Sequence, residues 1–96
     1  MKLITKELRE KLPPFYSQED NPDPEVHIKF FCPWNSWTWY GIEFDGDDTF
    51  FGWVDGDFPE LGYFTLSELE SVTGPMGLKI ERDLYFESKL LSEVQK

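Results

Sequence analysis

Between Trp37 and Leu69 the chain reads WTWYGIEFDGDDTFFGWVDGDFPELGYFTLSEL. The tract holds most of the aromatic residues, two Asp-Gly-Asp runs, and no Lys or Arg. Its short runs rich in aromatic and β-branched residues are those of strands, and Trp37 to Phe44 carries large aromatics on both faces, as a central strand covered on both sides or left with a partly exposed aromatic face would. Asp45-Gly46-Asp47-Asp48 and Asp55-Gly56-Asp57 interrupt the tract with turn chemistry, because Gly accepts the positive φ of a tight hairpin and Asp bonds to its own backbone. Strand, turn, strand, turn, strand is therefore the frame on which the remainder must pack.

The strands follow from the same pattern. Glu25 to Phe31 places Val26, Ile28 and Phe30 on one side. Trp37 to Phe44 places Trp37, Trp39, Gly41 and Glu43 on one face and Thr38, Tyr40, Ile42 and Phe44 on the other. Thr49 to Val54 sets Phe50 and Val54 against Phe51 and Trp53. Gly52 between them leaves room for a close neighbour, an aromatic side chain being one choice. Leu61 to Phe64 is a short fourth strand.

Helices flank this meander. Thr5 can cap a helix running to Leu12, with Ile4, Leu8 and Leu12 on one face and Pro13-Pro14 as its stop. Thr65-Leu66-Ser67-Glu68 fits a capping box, in which Glu68 reaches back to the Thr65 amide. Leu66, Leu69 and Val72 would face inward, and Gly74-Pro75 would end the helix. Leu90, Leu91 and Val94 suggest a terminal helix. Phe15 to Pro24 is polar and proline-rich and is expected to be a mobile loop. The expected fold is a single α+β domain over residues 1–96: an antiparallel meander of about four strands, with short helices packed mainly on one side.

Charge narrows the range of functions. The formal net charge is −10. Between Phe30 and Leu78 every charged side chain is acidic: Glu43, Asp45, Asp47, Asp48, Asp55, Asp57, Glu60, Glu68 and Glu70. Neither direct nucleic-acid binding nor docking on anionic membrane suits such a chain. Solubility is the plain explanation of the charge. Mimicry of nucleic acid is the sharper one: strand residues two apart sit roughly 6–7 Å apart, close to a phosphate step. Successive hairpin turns lie at opposite ends of their strands, which would divide such a surface.

Other chemistry finds little support. The aspartates miss the calcium-loop spacing, since Phe50 stands where that loop needs Gly. Cys32, the one cysteine, lies in an apolar run and is expected to be buried. No internal disulfide is possible, and a cytoplasmic location is expected. His27 is the single histidine, so a catalytic role would need a nearby carboxylate. No nucleophile motif, phosphate loop or zinc spacing occurs. No enzyme activity, cofactor or metal is expected. Trp34, Trp37, Trp39, Tyr40 and Trp53 could stack on sugars or bases, or pack as core, with an exposed Trp34 or Trp37 anchoring a protein partner.

Four motifs carry a resemblance. They are Phe44-Asp45-Gly46-Asp47-Asp48-Thr49-Phe50-Phe51-Gly52, Glu60-Leu61-Gly62-Tyr63-Phe64, Gly74-Pro75-Met76-Gly77-Leu78, and Ile80-Glu81-Arg82-Asp83-Leu84-Tyr85-Phe86. Leu12-Pro13-Pro14 and the opening stretch around Leu3 to Leu8 fit as well. Over nearly its whole length the chain resembles the bacterial family of unknown function 2958, often carried on plasmids and other mobile elements. The resemblance implies a mobile-element setting, where small acidic proteins often inhibit host defence, and it implies no chemistry.

Charge and resemblance together lead to one expectation. The chain would be a small non-enzymatic interaction protein that occupies the basic groove of a nucleic-acid-binding protein, such as a CRISPR effector subunit or a restriction enzyme. Its contact residues would be Glu43, Asp45, Asp47, Asp48, Asp55, Asp57, Glu60, Trp34 and Trp37. The alternative is a small-ligand or carbohydrate-binding module built on surface tryptophans.

Overall fold

Alternating aromatics and two Asp-Gly turns fold the middle of the chain into a meander of three strands. In the computed structural model, which describes residues 2–95, these are β3 (Thr38–Phe44), β4 (Thr49–Asp55) and β5 (Glu60–Thr65). Before them come α1 (Lys6–Lys11), β1 (Glu25–Val26) and β2 (Ile28–Phe31). After them come α2 (Leu66–Ser71), a 3-10 turn (Pro75–Gly77), β6 (Glu81–Arg82), β7 (Lys89–Leu90) and α3 (Leu91–Val94). The architecture is α+β. The main antiparallel sheet has the order β5-β4-β3-β2-β6, and β1 pairs with β7 in a separate ribbon. The expected four-strand meander thus gains the short edge strand β6.

Two features change which residues share a face. The strand expected over Glu25 to Phe31 breaks at His27, whose amide bonds to Gly41 O at 3.0 Å. Val26 therefore leaves the side of Ile28 and Phe30 and packs with Ile42 and Leu91. In β3, Gly41 is paired with Gly52 and Glu43 with Phe51, so Ile42 is an extra residue in a β-bulge. A one-residue slip exchanges faces for everything beyond it. Phe44 accordingly joins Trp39 in the larger core, while Ile42 and Tyr40 lie in the smaller one. The simple alternation expected for this strand fails at that point.

The larger core sits between the sheet and the first two helices. Phe50 is its centre, fully buried, with Phe44 at 4.5 Å, Phe64 at 5.1 Å and Phe30 at 5.6 Å between ring centroids. Leu3, Leu12, Leu66, Leu69 and Ile80 close around these rings, and Cys32 is buried among them as expected. On the opposite face Val26, Ile42 and Leu91 form the smaller core, with Val94 of α3 against it. Of the three α-helices among the described residues, two thus share one side.

Helix ends obey local chemistry with two departures. Thr5 Oγ1 accepts from Leu8 N at 3.2 Å, and Thr65 Oγ1 accepts from Glu68 N at 3.1 Å. Glu68 does not reach the Thr65 amide; its carboxylate accepts from the Thr65 hydroxyl at 2.9 Å. The second helix also stops at Ser71, short of Gly74, which leaves Val72 exposed. Phe15 to Pro24, expected to be mobile, is tied to the body at both ends. Tyr16 N and Gln18 N donate to Glu43, and the Asp23 carboxylate accepts from Ser92 N and Oγ.

Candidate functional site

The acidic residues divide between the two ends of the meander. Asp45, Asp47 and Asp48 lie at the β3–β4 turn, and Asp55, Asp57 and Glu60 at the β4–β5 turn. Much of the first group is occupied by the fold. Asp45 Oδ1 accepts from the amides of Asp47, Asp48 and Thr49 at 2.8, 2.9 and 3.1 Å. Hydrogen bonds to the ionised form, that from Asp47 foremost, hold its carboxyl below the ordinary range. Asp48 accepts from Ser67 N and Ser67 Oγ, capping α2 from the β3–β4 turn. Arg9 reaches the carbonyls of Gly46 and Asp47 at 3.1 and 3.5 Å and lies over the Phe44 ring. A cation therefore already covers this end.

Glu43 is not a surface contact. It is 6% exposed, and its two carboxylate oxygens accept from Tyr16 N at 3.2 Å and Gln18 N at 2.8 Å. The bulge carries it off the Trp39 face and into the wall of a groove. Its hydrogen bonds hold Tyr16 at φ 67°, a left-handed conformation costly for a tyrosine.

At the other end the carboxylates are open. Asp57 and Glu60 are exposed and Asp55 is half-buried. Phe58 stands among them 85% exposed. None of the three has an ion-pair partner among the described residues, where Lys29–Asp83 at 3.6 Å is the one pair within range.

The tryptophans are half-buried, not a free platform. A methyl group on Gly74 would lie 2.5 Å from the Trp34 ring, and one on Gly56 equally close to Trp37. These two indoles are each seated on a glycine. Trp34, Trp37 and Trp39 pack against the larger core and Trp53 against the smaller. Trp34 and Trp37 are thereby mainly packing residues, because the glycines give their rings close backbone contact.

Two features escaped the periodicity. His27 Nδ1 is 3.2 Å from Ser88 Oγ, across 61 residues of sequence. Burial above all lowers the His27 pKa; Glu25 opposes the shift and Lys11 adds to it. The second is a groove of about 440 Å³ on the smaller-core side, walled by Tyr16, Phe51, Leu61 and Tyr63 with Glu43 in its lining. Only the alternation of Phe51, Leu61 and Tyr63 hinted at it.

Among the described residues no group of three or more His, Cys, Asp or Glu side chains could hold a metal ion. No helix among them is long and apolar enough to cross a membrane. No curated protein and no solved structure matches the chain. Residues 3–94 match the family model described as protein of unknown function (DUF2958), and the chain belongs to that family.

Proposed function

We propose that this chain is a non-enzymatic interaction protein that binds a basic nucleic-acid-binding protein and competes with nucleic acid for it. A CRISPR effector subunit and a restriction enzyme are the partners that a mobile-element setting would favour. The supporting observation is the β4–β5 turn, where Asp55, Asp57 and Glu60 flank the exposed Phe58 in sequence with no cation paired to them among the described residues. Open carboxylates steer a basic partner, and an aromatic side chain supplies the contact area that steering alone lacks. Because the two turns lie at opposite ends, contact is through one acidic knob and not along a duplex-like row.

The test is capture from a bacterial lysate carrying CRISPR and restriction systems, washed at low and then high salt. The eluted basic protein is then assayed for DNA binding with the chain as competitor. Wild type should displace DNA, and the combined variant Asp55→Asn, Asp57→Asn, Glu60→Gln should associate on the order of tenfold more slowly. Asp45 and Asp48 are left intact, since they hold a turn and a helix. Equal competition by that variant would overturn the proposal.

A further inference from the structure

The groove beside β5 combines three features that recognise one kind of group. First, its lining contains Glu43, a carboxylate more than nine-tenths buried that accepts two amide hydrogens and has no cation beside it among the described residues. A buried charge without a counter-ion attracts one. Second, its walls are aromatic. Phe51 and Tyr63 lie 5.2 Å apart, and Phe15 braces both Tyr63 and Tyr16 edge-on at 5.7 and 6.0 Å. Such rings hold a cation whose stem is apolar. Third, the groove opens on β5, an outer strand of the main sheet, where Leu61 and Tyr63 are 46% and 62% exposed. An uncovered edge strand offers backbone donors and acceptors to another chain.

We propose that the groove receives an arginine side chain carried by an extended segment of a partner protein, which pairs along β5 as a further strand. The guanidinium would stack between Tyr16 and Tyr63 and point toward Glu43, its methylenes lying on Phe51 and Leu61. Arginine fits better than a bare ammonium because its planar, weakly hydrated head stacks on rings. A second copy of this chain suits the edge poorly, since each copy carries a net charge of −10. The proposal rests on reading the chain as a protein-interaction module, but it uses a different surface from the Asp55–Glu60 turn.

The probe is a short capped peptide of alternating valine and arginine, titrated into the isotopically labelled full chain. Its neutral control replaces arginine by citrulline. Signals of Phe51, Leu61 and Tyr63 should shift, and amides of β5 should gain protection from exchange. The citrulline peptide should bind roughly tenfold more weakly, and Tyr63→Ser should cost the arginine peptide a similar factor. Tyr63 is largely exposed, so that variant should keep its fold, checked by circular dichroism. Glu43→Gln is the less clean variant, because Glu43 also pins the loop. Methylating alternate peptide nitrogens on the pairing side should abolish protection of β5.

Equal binding of the arginine and citrulline peptides would overturn the proposal. So would unchanged binding to Tyr63→Ser, or N-acetylarginine amide binding as tightly as the peptide. If those results came with DNA competition intact, the strand-pairing proposal would fall and the acidic-knob function would stand. Peptide binding without DNA competition would mean the reverse.

Discussion

A methyl group added at Gly52 would lie 1.8 Å from the carbonyl oxygen of Tyr40, a backbone atom that cannot rotate away. The close neighbour that Gly52 accommodates is therefore the adjacent strand itself, not an aromatic side chain. Gly52→Ala should destabilise the protein by about 3 kcal/mol or more, much of the stability of a small domain. Gly62 is paired directly beside it, yet a methyl group there meets nothing within 4 Å. Gly62→Ala should fall within about 0.5 kcal/mol of wild type. Urea unfolding of both variants decides it, and equal effects would refute the steric account. His27 gives a second prediction at this scale. Its folded pKa lies below 6.5, so the unfolded chain takes up the proton first as pH falls. The stability due to neutral His27 should be complete above about 6.5 and decline toward the folded pKa. His27→Gln should lack that slope, and a His27 resonance titrating at or above 6.5 would contradict it.

At the scale of elements, what could be read from the sequence separates from what could not by range. Thr5 and Thr65 cap helices with atoms three residues away, and Asp45 folds its turn with atoms two to four residues away. Such contacts are visible in a linear pattern. The bulge at Ile42 depends on the register against β4, and the break at His27 accompanies the pairing of Val26 with Lys89 far along the chain. No local period carries that information, so the linear pattern puts Phe44, Glu43 and Val26 on the wrong side. Strands of two residues such as β6 and β7 are too short to show a period. The acidic residues illustrate the same divide: their sign and turn chemistry were legible, whereas their use as distant caps was not. Asp48 takes Ser67 N and Oγ at 2.9 and 2.6 Å, and Asp23 takes Ser92 N and Oγ at 2.9 and 2.7 Å. Both helices are six residues or fewer and could not stand alone. Asp48→Ala and Asp23→Ala should each cost about 1 kcal/mol, while Asp47→Ala, whose side chain is open, should cost almost nothing. Chemical denaturation compares the three; a neutral Asp48→Ala would refute the capping role.

For the whole molecule the decisive quantity is charge against size. A net charge of −10 is held within extents of 43 × 29 × 22 Å. At about 0.01 M salt the Debye length is roughly 30 Å, so carboxylates across the domain repel one another; near 1 M it is roughly 3 Å. Screening also weakens attractions, but among the described residues the one ion pair is Lys29–Asp83, partly exposed at 3.6 Å and of small worth. Relief of repulsion should therefore dominate, and the melting temperature should rise as sodium chloride is added from low concentration. Capture of a basic partner should weaken over the same range, because the same screening removes long-range attraction. The two trends have opposite signs and one cause. Thermal melts and binding measured over a single salt series test them together. A melting temperature that falls with added salt would show that local attractions outweigh the net charge, and the steering assigned to Asp55, Asp57 and Glu60 would lose its physical basis.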